Sequence, residues 1–191
     1  TTLLEWKISQ VLGVAEKENV FISTPSEKII ALARDYGVHS VKRSESDDPK
    51  RWILESVEPV KQKIILWANV TSPFISTEDY EEMIKIFFDL PEENDSLISV
   101  YKESEYIYFQ NKPLNFDINA YKSRKTLDPI YRVTNGCYIT SKESYLQNRK
   151  YFGQSPYFHE VDKLKALEIK DIDHYQMATS LLPIYFKIKE I

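Results

Sequence analysis

The chain has 191 residues, 42% of them hydrophobic, and a formal net charge of -4 with both signs interspersed. That length supports one domain with a sizeable core, and the absence of clustered Lys and Arg and of any apolar run of bilayer length excludes nucleic acid and membrane as expected partners. The lone Cys137 excludes an intrachain disulfide, and an N-terminus without signal-peptide features points with it to a reducing, cytoplasmic setting.

Leu4, Ile8, Val11 and Leu12 fall at helical spacing, and Val20-Phe21-Ile22 reads as a short buried strand. Thr24-Pro25-Ser26-Glu27 has the form of a capping box with Pro at the first helical position, followed by the apolar face Ile29, Ile30, Leu32, Ala33 and Tyr36 up to Gly37. Val38 to Val41 is a second strand, and after a polar loop a short helix over Arg51 to Val57 stops at Pro59. Ile64 to Ala68 has the length and branched composition of a strand buried on both faces. It leads into Asn69-Val70-Thr71-Ser72-Pro73 and then a helix from Glu78 to Asp89, capped by Ser76 or Thr77, with Tyr80, Met83, Ile84, Phe87 and Phe88 inward. Ligands of open α/β sheets bind outside the carboxyl ends of strands, so Asn69, Thr71 and Ser72 are candidate substrate readers; a side-chain-capped turn without a ligand is the plainer alternative.

Leu97 to Val100 is again strand-like, and the alternation to this point implies a mainly parallel sheet with helices on both faces. From Val100 to Thr134 the helical period is lost and aromatic and polar residues mix, which reads as an excursion able to seek a partner, a second copy of the chain included. Asn135-Gly136 is expected to turn into a strand at Cys137-Tyr138-Ile139. Thr140-Ser141-Lys142-Glu143 opens a helix, Tyr157 to Glu160 forms a strand, and Tyr175, Ala178, Leu181 and Leu182 stripe a last helix.

His39, His159 and His174 are too far apart for a local metal motif. In Glu168-Ile169-Lys170-Asp171-Ile172-Asp173 the alternating acids could hold Mg²⁺, a hard cation that prefers carboxylate oxygens, or could simply satisfy the start of a helix. Arg43 and Arg124 are candidate anion binders through the guanidinium fork, with an exposed, solvated role as the plain alternative.

Taken in order, Leu3-Leu4-Glu5-Trp6, Val20-Phe21-Ile22-Ser23-Thr24, Ala33-Arg34-Asp35-Tyr36-Gly37, Asn69-Val70-Thr71-Ser72-Pro73 and Asn135-Gly136-Cys137-Tyr138-Ile139 resemble the acylneuraminate cytidylyltransferases, the CMP-sialic acid synthetase family. The resemblance implies a Rossmann-like α/β fold, 1–191 being one nucleotidyltransferase-like domain and 101–134 a small dimerisation arm. It also implies transfer of CMP from CTP to a nonulosonic acid with Mg²⁺ and release of pyrophosphate, by a homodimer. It places Asn69, Arg124 and Asn135 with Thr71 and Ser72 about the sugar acid and Arg43 near the nucleotide. Glu168 stands at the metal, with Asp171 or Asp173 as its partner. Two departures accompany it. The family's opening strand and Gly-, Arg- and Lys-bearing phosphate loop would precede Thr1, and Lys170 stands where the family carries a second metal-binding Asp. A noncatalytic relative serving as a dimeric binding or scaffolding module is the alternative expectation.

Overall fold

The computed structural model describes residues 2–120 and 122–189, with side chains through 185. Helix α1 (Leu3–Val11) opens on a capping box in which Thr2 Oγ1 accepts from Glu5 N and the Glu5 carboxylate accepts from Thr2 N. Strand β1 (Phe21–Thr24), helix α2 (Glu27–Asp35) and strand β2 (His39–Lys42) form a βαβ unit in which β1 and β2 pair in parallel. Ser26, not Thr24, is the N-cap residue of α2; Thr24 instead accepts from Ser26 N, so Pro25 lies before the helix. Helix α3 (Pro49–Val57) begins two residues earlier than expected because Asp48 caps it and Pro49 suits its first turn.

The main sheet holds strands β3 (Ile64–Trp67), β4 (Ser96–Glu103), β7 (Ile130–Ser141) and β8 (Pro156–Glu160) in the order β3-β7-β4-β8, while β5 (Tyr108–Phe109) and β6 (Lys112–Pro113) make a small hairpin in the excursion. Three of the four main strands, β3, β4 and β8, point the same way, and β7 runs against them between β3 and β4. The sheet is thus mostly parallel, as the alternation of elements implies. β7 is the correction to the expected turn at Asn135-Gly136: the strand starts at Ile130 and passes through that dipeptide. The register shift between Ile98 and Val100 of β4 leaves the residues of β7 around Asn135 bulged out of the ladder.

Period-two alternation sorts the strand residues onto two faces. On one, Leu97, Cys137 and Ile139 pack with Ile75, Tyr80 and Met83 of helix α4 (Thr77–Phe88) and its lead-in. On the other, Ile98, Val100 and Tyr138 meet Trp67, Tyr151 and Phe152, and Ile53 and Val57 of α3 meet Tyr145 of helix α5 (Lys142–Asn148). Both faces are therefore covered. Tyr80 and Met83 are wholly buried, each worth about 1.5–3 kcal/mol by transfer of its apolar area from water. Phe88, expected inward, is 68% exposed: it is the last residue of α4, and the neighbouring Phe87 takes the place against the core. Helix α6 (Ile172–Lys189) closes over Phe74 with Ala178 and Tyr185. Among the described residues no helix is long and apolar enough to cross a membrane.

Candidate active site

The carboxyl end of β3 runs into a loop whose chain direction is fixed by side chains rather than by a ladder. The Asn69 amide sits at its centre: Oδ1 accepts from Trp67 Nε1 at 3.1 Å and Nδ2 donates to the Asn135 carbonyl at 3.0 Å. Asn135 has φ 57°, left-handed backbone that Asn tolerates better than most residues, and the β7 bulge that demands it turns the side chain out of the sheet. Its Nδ2 donates to Glu168 Oε1 at 3.0 Å, and the Tyr138 hydroxyl donates to its Oδ1. The polar groups that the bulge strips from the ladder are recovered inside: Ser99 Oγ lies 2.8 Å from Thr134 Oγ1 and accepts from Cys137 N at 2.9 Å.

Glu168 arrives from the segment before α6, which is tied to the same loop by Ile169 N donating to the Thr71 carbonyl at 2.8 Å. Three residues singled out in the sequence, Asn69, Asn135 and Glu168, thus form one connected polar cluster although they lie far apart along the chain. Beside it stands an aromatic wall that sequence reasoning missed. Tyr138 stacks on Tyr151 with centroids 5.0 Å apart, and Trp67 meets Tyr151 edge-on at 5.0 Å. Burial pushes the hydroxyls of Tyr138 and Tyr151 up, so both are neutral donors at ordinary pH. Arg43 lies over the Trp52 ring, its carbon 5.1 Å from the centroid, and its charge partly offsets the rise at Tyr151, which sets it on the flank of this wall. Amide and carboxylate groups backed by aromatic faces suit a polyhydroxylated ligand with an apolar side.

The remaining candidates are placed differently. Ser72 is wholly buried and its hydroxyl finds no hydrogen-bond partner among the described residues, so it belongs to the loop's packing and not to an accessible surface. Arg124 sits in a 3₁₀ turn of the excursion, where both Glu105 oxygens accept from it at 2.9 Å. Asp171 bonds His174 through its backbone N at 2.9 Å and its ring Nδ1 at 2.7 Å, and these bonds hold its carboxyl below the usual range. Asp173 lies exposed in the first turn of α6. Both acids therefore serve the helix start, the plainer of the two readings of that segment.

The donor set accordingly does not fit a protein-built magnesium site. Glu168 is a single carboxylate whose Oε2 is 3.3 Å from the Lys170 ammonium and whose Oε1 holds Asn135, and among the described residues no three His, Cys, Asp or Glu side chains converge. The Cys137 thiol is wholly buried and pushed up by that burial, which removes it as a nucleophile.

A mostly parallel sheet covered on both faces, with a polar cluster where the carboxyl end of β3 meets the bulge of its neighbour β7, defines an α/β protein of the nucleotide-handling kind. Residues 1–188 match the cytidylyltransferase family, and the chain belongs to it. It is 25% identical over 197 residues to an N-acylneuraminate cytidylyltransferase of Escherichia coli O18:K1:H7, covering 94% of this chain and 45% of that protein. It is 22% identical over 200 residues to the protein of the same name from Streptococcus agalactiae serotype V, covering 93% and 46%. The chain therefore spans about half the length of these relatives. Its fold matches a 4-diphosphocytidyl-2C-methyl-D-erythritol synthase from Anaerococcus prevotii with a TM-score of 0.71 at 14% identity, over 96% of this chain and 86% of that one. It also matches a CMP:2-keto-3-deoxy-manno-octonic acid synthetase with a TM-score of 0.66 at 12% identity, over 95% and 87%.

Proposed function

We propose that the protein transfers CMP from CTP to a sialic-acid-like nonulosonic acid, releasing pyrophosphate, and that it does so as a homodimer. The observation that carries this reading is the Asn69–Asn135–Glu168 cluster beside the Trp67 and Tyr151 rings, polar groups next to an apolar face as a polyhydroxylated sugar requires. Family membership and the names of the curated relatives support it. In the reaction a sugar hydroxyl oxygen attacks the α-phosphorus of CTP, the bond to the pyrophosphate oxygen breaks, and the hydroxyl proton leaves to solvent or the departing group. What the chain's own residues contribute is orientation: the Asn69 and Asn135 amides fix the hydroxyl's approach, and the half-buried Trp67 and Tyr151 rings, backed by the buried Tyr138, exclude water from one side of the sugar. Arg43 and Arg124 are assigned to the anionic groups of nucleotide and sugar acid, Arg124 by exchanging Glu105 for the substrate carboxylate.

The exposed apolar residues Tyr108, Phe109, Leu114 and Ile118 of the excursion support the dimer. The Lys170 ammonium beside Glu168 favours a second reading, a noncatalytic relative that retains the fold and binds without transferring. Pyrophosphate release from CTP by the full-length protein decides between them. Release that requires N-acetylneuraminic acid, and is not produced by 2-keto-3-deoxy-manno-octonic acid or 2C-methyl-erythritol phosphate, bears out the first; no release with any acceptor leaves the second.

A further inference from the structure

Lys7 lies on α1 three residues after Leu4 and next to Ile8, on the side of the helix that faces the protein, and it is only 3% exposed. Its Nζ donates to the Ser72 carbonyl at 2.9 Å, to the Tyr80 hydroxyl at 2.9 Å and, more weakly, to the Ile75 carbonyl at 3.5 Å. Its neighbours on α1 act in the same way: Trp6 Nε1 and Gln10 Nε2 donate to the Pro73 carbonyl at 2.8 and 3.0 Å, and Thr77 Oγ1 returns a bond to the Gln10 carbonyl at 2.9 Å. Residues 72–75 are all buried, yet they lie between β3 and α4 where no ladder or helix receives their carbonyls. The Ser72, Pro73 and Ile75 carbonyls would be stranded without side-chain donors, and α1 supplies them.

The chain of bonds does not end at Tyr80. Its hydroxyl donates onward to the Gly136 carbonyl at 3.3 Å, next to Asn135 in the β7 bulge. Lys7 therefore touches both walls of the cluster from behind, the Asn69–Ser72 loop directly and the Asn135 bulge through Tyr80. The two walls meet again in front where Asn69 bonds the Asn135 carbonyl.

We propose that Lys7 is a positioning residue for the sugar-acid side of the site, setting the separation of the Asn69 loop from the Asn135 bulge through its bonds to Ser72 and Tyr80. The assignment rests on the sugar-acid reading for its kinetic consequence but not for its structural one. A residue wanted only for stability would be better replaced by Met or Leu at this depth, since an ammonium without a carboxylate partner is costly to bury: Asp79, the acid on the neighbouring helix, is held by Lys165 at 2.6 Å.

The test uses Lys7→Met and Tyr80→Phe in the full-length protein, the first keeping side-chain length and the second ring packing. In Lys7→Met, backbone amide exchange across 69–76 and 134–138 is expected to quicken at least tenfold, with β1–β2 unchanged. The KM for the sugar acid should rise at least tenfold, with that for CTP within twofold and kcat little altered. Tyr80→Phe should quicken exchange at 134–138 alone and shift the same KM in the same direction, and it carries the test if Lys7→Met does not fold. Unaltered exchange across 69–76, or KM values for both substrates rising together in step with a lower melting temperature, overturns the proposal. If the unmodified protein transfers CMP to no acceptor, the functional reading fails and the exchange pattern alone decides the role of Lys7.

Discussion

Burial of Lys7 lowers its pKa from the ordinary 10.5 to about 7, against the weaker opposing influence of Cys137 and Asp79. The groups around it are the Tyr80 hydroxyl and the Cys137 thiol, both kept neutral by burial, and the Asp79 carboxylate already paired with Lys165. Between pH 7 and 10.5 the unfolded chain thus binds a proton at this position that the folded chain does not, so stability rises with pH across that window, by roughly 1 kcal/mol per unit, and the cost is complete below pH 7. Lys7→Met should flatten that rise, which urea unfolding at pH 7, 8 and 9 measures. At the same scale, Asn135→Ala should cost about 2 kcal/mol, part from alanine at φ 57° and part from leaving Glu168 Oε1 and the Tyr138 hydroxyl without their partner. Asn135→Gly keeps the backbone and loses only the second part, so the difference between the two variants in denaturant midpoint isolates the conformational share. Lys170→Asp would set a second carboxylate beside Glu168; Mg²⁺ binding by calorimetry without nucleotide should appear in that variant and not in the unmodified chain.

The element that organises the site is β7. As the antiparallel strand between β3 and β4 it pairs on both sides, and the bulge opposite Ser99 is what turns Asn135 toward Glu168. The bulge can pack only because position 136 is glycine. A Cβ there would stand 2.8 Å from Ile75 Cγ1 and 3.1 Å from Ser99 Oγ, and Ile75 is itself wholly buried and cannot withdraw. Gly136→Ala should therefore cost about 1–3 kcal/mol through overpacking, read from thermal unfolding, and should also shift Asn135 enough to weaken sugar-acid binding while CTP binding is retained. The capping box of α4, with Ser76 Oγ accepting from Asp79 N and the Asp79 carboxylate accepting from Ser76 N at 2.8 Å, fixes the other end of the same loop.

At the scale of the molecule, the excursion is a self-supporting arm. Asn115 binds the Ile107 amide and the Glu105 and Asp128 carbonyls, and Phe116 lies edge-on to Tyr106 and Tyr108, so the arm keeps its shape while Phe109, Leu114 and Ile118 face outward. Replacing Phe109 and Leu114 together by Glu should convert the expected dimer of the full-length protein to a monomer in sedimentation velocity at micromolar concentration, with little change in melting temperature, because neither side chain contributes to the core.

Local chemistry made much of this legible from the residues alone. The helix from Thr77, the strand at Ile64 and the stripe of the last helix follow from period and capping, which are properties of neighbours along the chain. The candidates Asn69, Asn135 and Glu168 were visible as residue types in expected loops and through the family resemblance. Their meeting was not, since it depends on which strand lies beside which, and although the strand at Cys137-Tyr138-Ile139 was legible, the half of β7 before it was hidden because a bulged stretch of mixed Tyr and polar residues carries no clean period. Lys7 carries one faint signal in the sequence, a cation beside the apolar positions Leu4 and Ile8 of α1, and its role emerges only where the buried carbonyls of Ser72 and Ile75 accept from it. The competition between Asp171 and Asp173 as metal ligands or helix acids was likewise open in the sequence. It was decided by the tertiary structure, where Asp171 turns to His174 and Glu168 is left with Lys170, because a carboxylate's role depends on which charge stands within a few ångströms of it and not on its spacing along the chain.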